Sequence, residues 1–243
     1  MSDDDSTKHD APGDFTPPKE TIGDKAHALA RAGLAAVPFV GGSAAEIFQL
    51  VIAPPLKRRQ QAWMESVSEG LGRLEEEQQC VIEDLKDNDA FIDTVLQASQ
   101  AAVRTAHDEK REALRNAVLN AAAPNPPDES KQQVFISLVD QFTVWHLRIL
   151  TFFANPNQWF ADNGKEHPRW SIGGSLSQLL VTAYPELQDQ RDFYDVVGKE
   201  LHQRGLFSTD GFHAMMSGQG AMAKRTTSLG DEFLHFITAP RLD

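Results

Sequence analysis

The sequence has few cysteines and few positive charges, and both shortages exclude classes of protein. A single cysteine, Cys80, among 243 residues excludes an intrachain disulfide framework and a cysteine-rich zinc module. The 35 acids against 23 bases give a net charge of −12, which disfavours a broadly basic nucleic-acid binder. With 41% apolar residues the chain has enough hydrophobic material for a sizeable core. Its length corresponds to one or two domains.

Motifs that hold phosphates or perform hydrolysis are also missing. The sequence has neither a Gly-x-x-x-x-Gly-Lys-[Ser/Thr] loop nor a Gly-x-Gly-x-x-Gly loop. It has no Gly-x-Ser-x-Gly elbow and no His-Glu-x-x-His pair. Cys80 lies beside Val81 and Ile82 in a predicted helix, so we interpret it as a buried structural thiol. These absences favour a non-enzymatic protein, and we expect no cofactor and no metal.

The negative charge is concentrated at the N-terminus. Residues 1–24 have seven acids, two lysines and almost no aliphatic side chains. This composition predicts a disordered acidic tail over residues 1–23. The tail has no cationic region followed by an apolar core, so it is not a secretory signal. We therefore expect a cytoplasmic protein with a reduced cysteine.

Apolar residues at spacings of three and four predict a mainly α-helical bundle. One helix is predicted over 56–86, a second from Asn88 with a restart near Thr105, and a third from the N-cap Asp128 to about Ala154. Prolines at 124, 126 and 127 mark the clearest internal boundary. They divide the chain into 24–124 and 128–243.

The C-terminal part has the order of a winged-helix-like module. Helices are predicted near 175–184 and 189–204, the second followed by Gly205. Two short strands at 206–209 and 221–226 form a predicted β-hairpin, and Thr227 or Ser228 caps a last helix. Lys224 and Arg225 are the nucleic-acid-binding candidates of this hairpin. Because the preceding helix has four acids, a structural or protein-contact role is favoured over DNA binding.

One segment near the N-terminus is almost uncharged. Residues 32–56 contain a single charge, Glu46, and Pro38 with Gly41 and Gly42 divides them into two halves. The pattern predicts a Gly/Ala-rich helical hairpin, either packed in the bundle core or inserted into one membrane leaflet. A basic triplet follows at the position of anionic headgroups. The candidate membrane or partner contacts are Val37, Pro38, Phe39, Val40, Ile47, Phe48, Leu50, Val51, Lys57, Arg58 and Arg59.

The histidines indicate a functional site only weakly. His146 stands beside a tryptophan in an apolar helix, and we expect it to be partly buried and hydrogen-bonded. His202, His213 and His235 all fall in the C-terminal module, where they could converge, but their spacing selects no metal or acid–base role.

Two stretches resemble bacterial protein families. The pattern Pro-x-x-Gly-Gly, Pro-Pro and Arg-Arg-x-x-Trp, present here from Pro38 to Trp63, resembles the opening of uncharacterised bacterial helical proteins. The end, with Arg-Gly-Leu at 204–206 and Thr-x-Leu-Gly-x-x-Phe at 227–233, is similar to the tail of Abi-alpha type proteins. That group is associated with abortive phage infection. The resemblance implies a bacterial source and a role in phage defence or stress.

Three functions remain open from the sequence. The leading hypothesis is a non-enzymatic helical protein that acts through contact with a protein partner, with another copy of itself, or with an anionic membrane surface. It would be cytoplasmic, with peripheral attachment at the inner membrane as one form of that contact. The alternatives are a winged-helix DNA-binding regulator and an enzyme of unrecognised type. Nucleic acid is the disfavoured partner.

Overall fold

The computed structural model describes residues 48–168, 170 and 173–240, and over these residues the chain is mainly α-helical, as predicted. A π-helical turn, Phe48–Ile52, leads into the first α-helix. A 3₁₀ turn, Pro185–Leu187, lies between the helices Leu176–Ala183 and Arg191–Gln203. The α-helices of the described residues are α1 (Ala53–Glu76), α2 (Ile82–Leu85), α3 (Asp89–Arg104), α4 (Asp108–Ala122), α5 (Glu129–Gln141), α6 (Val144–Ala154), α7 (Pro156–Asp162), α8 (Leu176–Ala183), α9 (Arg191–Gln203), α10 (Gly218–Ala221) and α11 (Ser228–Ile237). The predicted acidic tail and most of the predicted helical hairpin lie outside the described residues.

The helix predicted over 56–86 is shorter in the structure. It ends at Glu76 because Gln78 adopts a left-handed backbone conformation, with a φ of 59°. The N–H of Gln79 donates to the carbonyl of Leu74 at 2.8 Å, and that of Gln78 to Glu75 at 2.9 Å. This pair of bonds is a Schellman C-cap, which usually uses glycine at the left-handed position. Cys80 therefore follows α1 in a connection instead of lying within a helix.

The start of α3 and the restart before α4 are confirmed. The Asn88 side chain accepts from the backbone N–H of Phe91 at 3.1 Å and caps α3. The hydroxyl of Thr105 accepts from the N–H of His107 at 3.2 Å in the two-helix junction. Local side-chain chemistry was therefore sufficient to predict these boundaries.

The prediction of a single helix from Asp128 to about Ala154 is wrong, because the structure has two helices there, α5 and α6. Asp128 caps α5 as predicted, accepting from the N–H of Lys131 at 3.1 Å. The chain then becomes extended at Thr143 and begins α6. The Thr143 side chain accepts from the N–H of His146, whose ring accepts from the Thr143 N–H at 3.2 Å. This reciprocal capping box uses histidine where glutamate or glutamine is usual.

The predicted β-hairpin is not formed in the described residues. Of the two predicted strands, only Phe207 and Thr226 pair, in one antiparallel bridge. The N–H of Arg225 donates to the Phe153 carbonyl of α6 at 2.8 Å, so the second segment is held by the bundle and does not extend the pairing. Ser217 caps α10 in the connection. A winged-helix module has no support here.

The other C-terminal predictions hold. Helices near 175–184 and 189–204 are α8 and α9, and Gly205 follows α9 with a φ of 75°. Thr227 caps α11 by accepting from the N–H of Gly230 at 3.0 Å. Helix α7 lies directly after α6, and the Asn155 side chain caps it by accepting from the N–H of Gln158 at 3.1 Å.

Helix α4 is the element around which the bundle packs. It contacts α1, α3, α5 and α11. The buried side chains that it offers are mostly small, which lets neighbouring helices approach closely. Its buried apolar residues are Ala113, Leu114, Ala117, Val118, Leu119, Ala121 and Ala122.

Two groups of aromatic rings complete the core. In the first, Phe135 of α5 lies 5.5 Å from Phe233 and 5.8 Å from Phe236, both of α11, between ring centroids. In the second, Phe153 of α6 lies 5.4 Å from Phe207 and 5.6 Å from Phe212. Such ring pairs add about 0.5–1.5 kcal/mol each beyond their buried area. Helices from before and after the prolines at 124–127 share this core, and the domain division at that point stays a prediction.

Two asparagines of α4 hold the C-terminal end of α11. The Asn116 amide donates to the carbonyl of Ile237 at 3.2 Å. The Asn120 amide nitrogen lies 2.8 Å from the carbonyl oxygen of Phe236 and 2.7 Å from that of Thr238. The last carbonyls of a helix have no partner within the helix. The two amides therefore supply donors that water cannot supply at a buried helix end.

We expect Asn120→Leu to lower the free energy of unfolding by about 2 kcal/mol, because the side chain keeps its size but leaves buried carbonyls without donors. Urea denaturation followed by circular dichroism measures the change. The matched control is Asn163→Leu, since Asn163 donates to the Trp159 carbonyl at 2.8 Å at the exposed end of α7. Equal losses in the two variants would contradict the proposed importance of the buried donors.

Candidate functional site

The predicted contact segment is described only from Phe48 onward. Val37, Pro38, Phe39, Val40 and Ile47 lie outside the described residues. The described part includes the π turn and the first turns of α1. The following paragraphs concern this part, residues 50–59, which we call the apolar–basic segment.

Three consecutive aliphatic side chains of this segment are exposed. Leu50 is 78% exposed, Val51 60% and Ile52 43%. Exposed apolar residues are ordinarily scattered singly, whereas a contiguous group marks an interaction surface. Lys57 and Arg58 are exposed one to two turns further along, and Arg59 is half-buried.

The basic part of the segment has no acidic neighbour in sequence. Between Glu46 and Glu65 the chain has three bases and no acid. Within the described residues, no ion pair involves Lys57, Arg58 or Arg59. The segment is therefore a local positive charge on a protein whose net charge is −12.

Exposed apolar and basic residues fall on one side of the helix. Leu50 and Lys57 are seven residues apart, as are Val51 and Arg58. Seven residues make two turns of an α-helix, and the wider π turn displaces these pairs by only about a quarter turn. An apolar group and a cationic group can thus meet the same surface at once.

The alternative nucleic-acid residues are engaged within the chain. Lys224 forms an ion pair with Asp231 of α11. The guanidinium of Arg225 donates to the carbonyl of Gly220 and lies 3.3 Å from the sulfur of Met216. Arg225 thereby braces the short helix α10.

His146 is buried and hydrogen-bonded, as the sequence predicted, and the structure adds its partner. Its Nε2 lies 2.7 Å from Oε2 of Glu200, which joins α6 to α9. Its ring stacks on Phe142 with 4.6 Å between ring centroids. Because Nδ1 accepts from the Thr143 N–H, the neutral ring has its proton on Nε2 and donates it to Glu200. Glu200 was missed because its partner is 54 residues away in sequence.

A chain of hydrogen bonds joins the hydroxyl of Thr143, the imidazole of His146 and the carboxylate of Glu200. These are the residue types of an acyl-transfer triad. The Thr143 hydroxyl lies 2.9 Å from Nδ1 of His146. Both groups, however, also bond to each other's backbone N–H in the capping box. The Glu200 side chain is half exposed while the imidazole is 4% exposed. Helix capping accounts for this arrangement, which ties the α5–α6 junction to α9.

Burial lowers the pKa of His146 below its usual value of 6.5, against the opposing effect of Glu200, which stabilises the charged ring. Protonation would place a proton on Nδ1, facing the backbone N–H of Thr143. A group whose pKa is lower in the folded state stabilises the fold above the unfolded pKa. That contribution is lost as the pH falls below about 6.5.

We expect His146→Gln to flatten the pH dependence of stability between pH 7 and pH 5. Glutamine at this position keeps the capping box but does not titrate. The wild-type unfolding free energy should fall more steeply on acidification, by up to about 1.4 kcal/mol per pH unit. Urea denaturation at a series of pH values measures both slopes. His213→Gln, at a half-exposed histidine, is the control, and identical slopes for wild type and His146→Gln would contradict the assignment.

His202 and His213 have separate partners. The ring of His202 lies 2.9 Å from the carbonyl of Phe207, and that of His213 lies 2.8 Å from the Asp195 carboxylate. Across residues 48–168, 170 and 173–240, no three histidine, cysteine or acidic side chains form a group that could hold a metal ion. His235 is exposed on α11.

Cys80 is half-buried and packs against the core. Burial, with a smaller effect of Glu75, raises the pKa of its thiol. The reactive thiolate is therefore disfavoured, which supports the interpretation of Cys80 as a structural residue.

Among the described helices, none combines the length and the apolar character needed to cross a bilayer. No protein-family model, curated protein or solved structure matches the chain.

Proposed function

We propose that this chain is a non-enzymatic bacterial protein that acts by contact, and that its apolar–basic segment docks on an anionic membrane surface. The observation that supports the proposal is the group of exposed side chains at Leu50, Val51 and Ile52 beside Lys57 and Arg58, which form no ion pair with any residue that the structure describes. Aliphatic side chains gain free energy on entering the interfacial region, and the bases gain it from anionic headgroups.

The magnitudes are sufficient for reversible attachment. Each basic residue near an anionic surface contributes about 1 kcal/mol. Full burial of one aliphatic side chain contributes about 1.5–3 kcal/mol to the free energy of binding. Partial insertion of three such side chains therefore contributes several kcal/mol. The sum suits a peripheral protein that exchanges between membrane and water.

The biological setting of this contact is proposed from the sequence resemblance. A bacterial protein similar at its C-terminal end to Abi-alpha type proteins would act in phage defence or stress. The inner membrane is then the surface that the segment meets. A protein partner or a second copy of the chain is the competing occupant of the same segment.

We expect the full chain to sediment with vesicles of phosphatidylcholine containing 30% phosphatidylglycerol, and to remain free with phosphatidylcholine alone. Lys57→Glu with Arg58→Glu should weaken binding at least tenfold, because two attractive charges become repulsive. Leu50→Ser with Val51→Ser should weaken it by a similar factor through lost insertion. Added salt should reduce the effect of the charges.

Matched control variants make the same kinds of substitution elsewhere on the surface, and so show whether the loss of vesicle binding is specific to the apolar–basic segment. Arg191→Glu with Lys199→Glu changes the charge equally on the exposed side of α9. Val134→Ser with Val196→Ser removes two other exposed aliphatic side chains, each 52% exposed. Both controls should bind like wild type. Failure of the wild type to prefer anionic vesicles, or equal losses in controls and test variants, would reject membrane docking in favour of a protein occupant.

A further inference from the structure

A second group of exposed apolar side chains lies on α9. Phe193 is 37% exposed and Val196 52%. Because residues three apart are neighbours on a helix surface, the two form one apolar patch. Outside the apolar–basic segment, no other described helix exposes two large apolar side chains. A contiguous group of this kind marks an interaction surface, whereas single exposed residues are ordinary.

The opposite face of α9 is fixed in the bundle. Tyr194 and Leu201 are buried there. Gly198 lies so close to Phe212 that a Cβ atom would be 2.3 Å from the ring. The helix therefore cannot turn to bury its apolar patch without losing this packing. The patch is presented by a preformed helix, so a partner need not order it first.

Two residues of opposite charge flank this patch on one edge. Asp192 lies four residues before Val196 and Lys199 three residues after it, so both are neighbours of Val196 on the helix surface. Both side chains are exposed, and neither forms an ion pair with a residue that the structure describes. They cannot pair with each other, because seven residues place them about 10 Å apart along the helix axis. We call Asp192, Phe193, Val196 and Lys199 the α9 stripe.

The charges of the α9 stripe are self-complementary. A two-fold axis near Val196 generates an antiparallel copy of the helix, in which each end of the stripe meets the opposite end of the other. Asp192 then lies against Lys199 of the second copy, and Lys199 against Asp192 of the second copy. Phe193 packs on Val196 of the second copy in the same register. A parallel arrangement instead places like charges together, so the charges select the antiparallel one.

We propose that two copies of the chain form a two-fold dimer through the α9 stripe, with their α9 helices antiparallel. Contact between the apolar side chains supplies the free energy of association, and the two ion pairs set the direction of the helices. Because the stripe has only two apolar residues in each copy, the dimer is weak, as small interfaces are in general. It forms at high local concentration and leaves the chain monomeric at about 1 µM. The dimer is independent of membrane docking, since the two surfaces share no residue.

Glu200 also lies on this face of α9, and its carboxylate is bonded to His146 of its own chain. In the antiparallel dimer it reaches the N-terminal end of the other α9. The positive end of that helix attracts the carboxylate, whereas Asp189, just before the helix, repels it. These two effects oppose each other, so the direction of pairing depends on Asp192 and Lys199.

Analytical ultracentrifugation of the full chain from about 5 µM to about 500 µM tests the proposal. The wild type should pass from monomer towards dimer over this range, and added salt should weaken the dimer. Asp192→Lys and Lys199→Asp should each raise the dissociation constant at least tenfold, because both ion pairs become contacts between like charges. Val196→Ser should raise it by a similar factor through lost apolar contact. The matched controls, Glu76→Lys and Val134→Ser, change exposed side chains on other helices and should dimerise like wild type.

Mixing the two charge variants is the sharper test. Asp192→Lys gives the stripe two bases and Lys199→Asp gives it two acids, so an equimolar mixture should form a heterodimer about as tight as the wild-type dimer. Its formation also shows that both variants are folded. A wild type that stays monomeric throughout the series would overturn the proposal. So would a dimer that neither charge variant weakens, or a mixture that associates no better than its components.

Discussion

The fold depends on the bonds between the asparagines of α4 and the carbonyl end of α11. Two polar side chains in the most central helix would destabilise the core if they had no partners, and so would the buried end of a helix. The amide N–H groups donate to the carbonyls of the helix end, at distances of 2.7–3.2 Å for Ile237, Phe236 and Thr238. Asn116 Oδ1 has no partner within the described residues, so this amide acts only as a donor. Because hydrogen bonds are directional and apolar packing is not, these bonds set the position of α11 along α4, and the Phe135–Phe233 contact follows from that position.

The parts of the fold that the sequence predicted are those determined by neighbouring residues. Asn88, Asp128 and Thr227 cap helices because their side chains reach an N–H three residues away. The misses have a different origin. α1 ends at Glu76 because Gln78 takes the left-handed conformation that glycine usually marks, and the apolar repeat runs through the α5–α6 break without interruption. The predicted hairpin failed because its second segment bonds to Phe153, a contact that no local pattern encodes.

The candidate site residues also fall into those that a local sequence pattern predicts and those that only the fold brings together. The basic triplet at 57–59 and the burial of His146 could be predicted from sequence, since charge clustering and an apolar neighbourhood are local properties. The exposure of Leu50 could not be predicted from sequence, because the same apolar run is equally compatible with a helix in the core. The role of Glu200 was not predictable either, because its bond to His146 forms where residues from separate helices come together.

The link between Asn116 and Ile237 spans 121 residues of sequence, and this has a consequence for the order of events during synthesis. While the ribosome is still translating the residues before α11, the face of α4 that carries both amides has no contact from α11, although α1, α3 and α5 are already synthesised. Contacts of high sequence separation form late, because a long loop must close before they yield any free energy. The nascent chain therefore passes through a stage in which the α11-facing side of its central helix is accessible, and chaperones would meet that side first.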